Sequence, residues 1–443
     1  MVLSRRAALG IAVLGVAAAG VGVSVPAKAD ERVAGPLATD DQKRIDELAQ
    51  QLVQTPQVQA EAGRLEQQWS QVMTARLTSL SPQAQAQLGP DIQELVFAYA
   101  QKAVNSDPTR PMVGWSGPPH NRGGSNVPGA RYAGDVPDQI VRFIPLDNTS
   151  TYTLTGRFLP DRPAFTRFQI NADTDDIRTL TEFDGRDLVV APDGTFTITV
   201  DPHPSDAANH IQTAAGTDHM LIRDVLGDWS RETPPELVVR RTAGPAAALE
   251  KSFDQLVADT VGMLRNQNWI YLYILGIQYP LPPNILPPPI PQMSTNRTFG
   301  NYLLNDDQAL VVTTQTGGSP YINLGLADTW TVSLPYWQHQ TSLNSHQAAA
   351  NPDGSYTFVI STRDPGVHNW VDTTGLPQGT LLMRWQAMPR GPLPVIPPLT
   401  TQVVDLTQLP GVLPAGTPMV TTQRRAAQLD RRRAGYRRNG LGS

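Results

Sequence analysis

The chain has 443 residues, with 35 Lys and Arg against 40 Asp and Glu and a formal net charge of −5, a balance that excludes a chain-wide electrostatic footprint for nucleic acid. Cysteine is absent, which excludes disulfides, thiolate metal sites and cysteine nucleophiles. The 40 prolines and 35 glycines favour short strands and many turns over long helices.

Residues 1–29 read as an export signal. Arg5 and Arg6 precede an apolar run from Ala7 to Val25 that closes on Ala27-Lys28-Ala29, the pattern of a twin-arginine signal with a small-residue cleavage site. The expected localisation is export across the cytoplasmic membrane, either secreted or held at the cell envelope, with an uncleaved anchor as the alternative. Residues 30–106 read as a helical region: Ile45, Leu48 and Leu52 recur at helical spacing, and so do Leu65, Trp69, Val72 and Met73. Ser81-Pro82 starts a further helix, and Pro90-Asp91 another with Ile92, Leu95, Val96 and Tyr99 on one face.

Residues 107–243 form the first β unit. It opens on a long loop, Asp107 to Ala130, that carries Trp115 and His120. Strands follow at Tyr152 to Phe158, Phe165 to Ile170, Asp187 to Val200 and Asp218 to Trp229, the third folded at an Asp193-Gly194 hairpin turn. Residues 244–298 read as one amphipathic helix from Gly244 to about Ile274 and a proline-rich connector. Residues 299–405 form the second β unit, with strands in ALVVTTQ, YINLGLADTW, SYTFVIS and GTLLMRWQ. Residues 406–443 are a basic tail with seven arginines between Arg424 and Arg438, a helix that suits an anionic envelope surface or simply solvent.

One phrase occurs twice. Asp193-Gly194 matches Asp353-Gly354, Asn209-His210-Ile211-Gln212-Thr213 matches Asn369-Trp370-Val371-Asp372-Thr373, and Arg223 matches Arg384 in the strand that follows. The expected architecture is mainly β with α: duplicated antiparallel β-sandwich or jelly-roll-like units plus an N-terminal helical layer. In the polar crossover of each copy, scaffold roles outweigh chemical ones. The second copy's Trp370 and Asp372 are replaced by His210 and Gln212 in the first, so shape is shared while chemistry is not.

The second unit resembles domain-of-unknown-function family 1214, through Tyr336, His339, the string Gln340-Thr341-Ser342-Leu343-Asn344, Asp364-Pro365-Gly366, Asn369-Trp370, Asp372 and Arg384-Trp385. The resemblance spans roughly Phe299 to Gln386, and the basic C-terminal helix is similar to that of actinobacterial members. It implies a β-rich, jelly-roll-like fold and no settled activity.

The seven histidines show no metal-ligand spacing, and no cofactor motif occurs. No G-x-S-x-G elbow is present, and Ser342 lies three residues from His339, on the opposite face of a strand. The residues expected near a site are Tyr336, His339, Asn344, Asn369, Trp370, Asp372 and Arg384, with Trp115 and His120 on the overhanging loop. Two readings stand: an exported protein that binds a polar envelope ligand, a glycan or lipid headgroup, and a hydrolase acting on envelope carbohydrate through carboxylates such as Asp364 and Asp372.

Overall fold

Three helices lead the described residues. The structure, a computed structural model, describes residues 35–441 except 77–79, 123, 173–177, 279–280, 293 and 392–393, and omits the side chains of 76 and 267–278. The export signal read at 1–29 lies outside the described residues. Helix α1 (Asp40–Val53) begins where the Thr39 hydroxyl accepts from the Gln42 backbone N–H at 3.1 Å, with Asp40 and Asp41 in the first turn. Helix α2 (Pro56–Arg76) follows after a two-residue break. Helix α3 (Pro82–Val104) starts on a Ser81 cap with Pro82 in its first turn, and runs through Pro90, where a separate helix was expected. Its buried face, Leu88, Ile92, Leu95, Val96 and Tyr99, is continuous across the proline, so packing holds the two stretches as one element.

Helix α4 (Phe253–Gln278) joins this layer through Leu256, Val257 and Leu264. It starts nine residues later than the apolar pattern predicts, because Ser252 and Gln255 form reciprocal side-chain-to-backbone bonds of 2.8 and 3.3 Å, a capping box.

The loop read at Asp107 to Ala130 contains three short strands, β1 (Gly114–Ser116), β2 (His120–Arg122) and β3 (Ser125–Val127), each too short to show a period. The first unit continues with β4 (Gln139–Pro145), β5 (Thr151–Arg157), β6 (Phe165–Asn171), β7 (Thr179–Asp184), β8 (Thr195–Asp201), β9 (His210–Gln212), β10 (His219–Val225) and β11 (Glu236–Ala243). They form a sheet of order β1-β4-β10-β6-β7 and a second of order β11-β5-β8-β9. Between the two lie Ile144, Phe168, Met220 and Ile222 from one side and Leu154, Phe196 and Ile198 from the other. Each such side chain contributes roughly 1.5–3 kcal/mol by leaving water.

The second unit uses β12 (Ile290–Gln292), β13 (Thr295–Leu303), β14 (Gln308–Thr314), β15 (Tyr321–Ala327), β16 (Ser342–Asn344), β17 (Tyr356–Ser361), β18 (Trp370–Asp372), β19 (Gln378–Gln386) and β20 (Leu399–Asp405). Its sheets run β12-β13-β19-β15-β16 and β18-β17-β14-β20. The unit thus begins inside the proline-rich connector, where Pro291 sits on an edge strand and no ladder bond is lost.

The two units have one topology. Replacing β1 and β4–β11 by β12–β20 in order converts the first pair of sheets into the second. Both are antiparallel except for one short parallel pair, Thr199 opposite His210 in one copy and Val359 opposite Trp370 in the other. The molecule is mainly β with α, a duplicated sandwich carrying an N-terminal helical layer.

Asp138 holds the two sandwiches together. Fully buried, it accepts from Trp229 Nε1 at 3.0 Å in the first unit, and from Tyr321 Oη at 2.8 Å and Asn344 Nδ2 at 3.0 Å in the second. A short helix α5 (Leu409–Val412) and the basic helix α6 (Thr422–Arg438) complete the chain. Tyr436 of α6 is buried with its ring 4.3 Å from Trp229 and 5.2 Å from Tyr336, so this helix also touches both units.

Candidate functional site

Strand alternation places two rows of arginines face to face. On β10, Met220 and Ile222 fill the first core, so Leu221 and Arg223 project from the other face; on β19, Leu381, Met383 and Trp385 fill the second core, so Leu382 and Arg384 project outward. Arg167 stands opposite Arg223 in the first sheet, and Arg297 stands opposite Arg384 in the second. These two outer faces border a cleft of about 690 Å³ lined by all four arginines. That volume lies within the roughly 300–1,000 Å³ of small-molecule sites.

Guanidiniums crowd this part of the cleft. Arg167 lies 3.5 Å from the buried Glu182 carboxylate and donates to Thr295 Oγ1 at 3.1 Å. Arg297 stacks its guanidinium 5.4 Å from the Phe299 ring. Burial, and then the charges of Arg223, Arg297 and Arg167, push the proton affinity of Arg384 down. Arginine nevertheless stays cationic at neutral pH, so the crowding opposes folding unless an anion relieves it. The Nε–H groups of Arg167 and Arg384 and Oε1 of Gln169 are buried without a hydrogen-bond partner among the described residues.

The other end of the cleft is a balanced site. Arg131 is held by Glu94, accepting its Nε–H at 2.9 Å, and stacks 4.9 Å from Trp337. Lys102 lies 5.5 Å from the rings of both Tyr99 and Tyr132. Trp115 and Tyr336 form part of the wall here, and Trp115 is fixed by Gln42, which accepts from its backbone N–H at 2.8 Å.

Of the residues expected near a site, Trp115, Tyr336 and Arg384 line this cleft. His120 stacks behind Trp115 at 5.1 Å, with burial holding its pKa down and Nδ1 against the Pro118 carbonyl. Asn344 belongs to the Asp138 junction. Asn369 braces backbone: its Oδ1 accepts from Ala349 N and its Nδ2 donates to Ala349 O, both at 2.8 Å. Trp370 is buried and donates to Ser361 Oγ at 3.0 Å. His339 and Asp372 meet each other at 3.1 Å, with His339 beside a separate shallow hollow that Trp337, Arg433 and Arg437 share. The structure therefore divides the expected cluster among a cleft, a junction, a brace and a surface pair.

Sequence reading did not single out Arg167, Arg223, Arg297 or Lys102 as site residues. The available signal was an arginine in the middle of a strand buried on both faces, as in His219–Val225 and Gln378–Gln386, where a cation must meet either a partner or a cavity.

No family model matches the chain, and no curated protein matches it. Among solved structures, the chain is similar to an uncharacterised protein of Burkholderia cenocepacia, at 23% identity and a TM-score of 0.67, over 81% of this chain and 99% of that one. At that identity the likeness shows the fold. A protein of Vibrio parahaemolyticus also matches, at 8% identity and a TM-score of 0.39, over 60% of this chain and 90% of that one.

Proposed function

We propose that this protein binds, without turning over, a ligand that carries a negatively charged group, and that it does so in the cleft between the two sandwiches. One observation carries the reading: four guanidiniums, Arg167, Arg223, Arg297 and Arg384, converge from four strands on one cavity, where Arg167 engages the buried Glu182. Planar guanidiniums match the oxygens of phosphate, sulfate and carboxylate in paired hydrogen bonds, and this desolvated setting strengthens each one. The polar envelope ligand expected from the sequence, a glycan or lipid headgroup, is thereby narrowed to an acidic one.

The remaining expectations belong to the same proposal. Membership of domain-of-unknown-function family 1214 rests on the residue string from Tyr336 to Arg384, and export rests on Arg5-Arg6 and the Ala27-Lys28-Ala29 site. Contact with an anionic envelope surface falls to part of α6. Arg425 is engaged by Asp364 at 2.8 Å and Arg432 donates to Ser342 O at 3.1 Å, so Arg424, Arg431 and Arg437 are better placed to face outward. The hydrolase reading stands second: Asp364 is engaged by Arg425, Asp372 by His339, and neither lines the cleft.

Titration of the mature protein with inorganic phosphate and sulfate, followed by thermal unfolding and calorimetry, tests the proposal. The expected result is a saturable rise in Tm that Arg384→Gln and Arg223→Gln each abolish; at a hundredfold excess over Kd the stabilisation is about 2.7 kcal/mol. A shift that persists in both variants, or no shift with either anion, overturns it.

A further inference from the structure

We infer that the ligand is an anionic amphiphile, its oxyanion head among the four arginines and a hydrocarbon chain along the apolar row beside them. The inference rests on the anion-binding reading and goes beyond it in naming the rest of the ligand.

The register makes the argument. Arg223 and Arg384 define one level across the two facing sheets, with Arg167 and Arg297 beside them. Two residues along the same strands, on the same faces, stand Leu221 opposite Phe143 and Leu382 opposite Phe299. Two residues along a strand is a step of about 6.6 Å. Positive charge thus gives way to a wholly apolar quartet within the length of a few carbon–carbon bonds, and all four of these side chains line the cavity. The cavity wall also includes Val136, Ile140, Pro287 and Ile290, the last standing opposite Arg297.

Two sheets that merely packed against each other would interdigitate such residues and leave no volume. Here the rows stand apart, and the open space between them is continuous with the arginine level. A glycan fits this row less well than a hydrocarbon: the two Leu and two Phe side chains offer sugar hydroxyls no hydrogen-bond partner, with Gln169 opposite Leu221 as a polar neighbour, and each buried hydroxyl left unpaired weakens binding. A methylene chain has no such requirement. The cleft's charge selects the head, and its adjoining row selects the tail.

A series of n-alkyl phosphates from methyl to dodecyl, used below their aggregation concentrations, tests this by calorimetry, with dodecanoate as the carboxylate counterpart. Affinity is expected to rise roughly fourfold for each methylene buried until the chain outgrows the cleft. In Leu382→Gln the dependence on chain length should flatten. Should that variant fail to fold, the series on the unmodified protein decides alone. Methyl and dodecyl phosphate of equal affinity overturn the amphiphile and leave the anion site standing, whereas no Arg384-dependent binding of any phosphate removes both. Tight dodecanoate binding supports the inference and assigns a carboxylate head, and preference for dodecyl phosphate supports it and assigns a phosphate.

Discussion

Asn209 and Asn369 make the same two bonds, each to the backbone of the residue twenty positions earlier. Asn209 Oδ1 accepts from Val189 N at 2.9 Å and its Nδ2 donates to Val189 O at 2.8 Å, as Asn369 does with Ala349. The amide closes the segment that precedes each hairpin onto the polar crossover after it, and Asn369 adds a bond to Thr357 O at 3.0 Å. Asn369→Ala, which leaves buried groups unpaired, is expected to cost about 2–3 kcal/mol, and the more exposed Asn209→Ala about 1 kcal/mol. Denaturant unfolding of the two variants and their double mutant checks both values and their additivity.

The hairpin glycines separate in the same way. Gly194 and Gly354 have φ of +86° and +81°, but a Cβ at Gly194 would lie 2.4 Å from the Phe158 carbonyl oxygen, while at Gly354 nothing comes within 4 Å. Gly354→Ala should cost the left-handed penalty alone, about 1–2 kcal/mol. Gly194→Ala should cost more, because backbone must move, and a comparison of the two unfolding curves reads the difference.

Asp91 of α3 and Asp328 of the second sandwich form a buried carboxyl pair. Burial and the Asp328 charge raise the pKa of Asp91, and burial pushes Asp328 up to about 6, while Asp328 also accepts from Trp330 N at 2.8 Å. The folded state binds more protons here than the unfolded chain, so the pair's contribution to stability is fully present below the ordinary carboxylate range and is lost as pH rises through the raised values. Asp91→Asn keeps a donor for Asp328 and removes one charge. It is expected to be more stable than the parent at pH 8 and to flatten the slope between pH 4 and pH 8, as Tm against pH will show.

Loss of the Asp138 carboxylate orphans three donors at once, Trp229, Tyr321 and Asn344, at the seam between sandwiches. Asp138→Ala should destabilise by about 3 kcal/mol or more. Because the damage lies between units that have separate cores, unfolding should also lose its single transition, visible when tryptophan fluorescence and far-ultraviolet circular dichroism no longer coincide.

In buffer free of phosphate and sulfate, Arg384→Gln should raise Tm, because it removes a crowded cation. With saturating anion the order of the two proteins should reverse. A variant less stable under both conditions would show that Arg384 is held by contacts other than those with its fellow arginines.

The architecture was legible because the repeat is written in turn chemistry. Asp-Gly hairpins and the Asn of each crossover do backbone work, and backbone work leaves fixed residues at fixed spacing. Strands such as Gln139–Pro145 and Glu236–Ala243 were missed because one is buried on both sides and the other is an exposed edge, so neither shows a clean alternation. The expected site was drawn around Asn369, Trp370 and Asp372, the most polar and aromatic stretch of the repeat. In that stretch Asn369 and Trp370 hydrogen-bond within the scaffold, while Asp372 meets His339 at the surface. The arginines of the cleft come from four strands up to 217 residues apart, from Arg167 to Arg384, and only the pairing of those strands brings them together.

Matched registers also have a hereditary consequence. Val141 corresponds to Arg297, Arg223 to Arg384 and Arg167 to Asn323, so each half supplies two cations, one on the shared strand and one at a position where the other half has none. Neither half alone gathers the charge that the pair does. A substitution within either interior is tolerated while its volume is kept, whereas one on a facing row alters which substitutions its counterpart can bear.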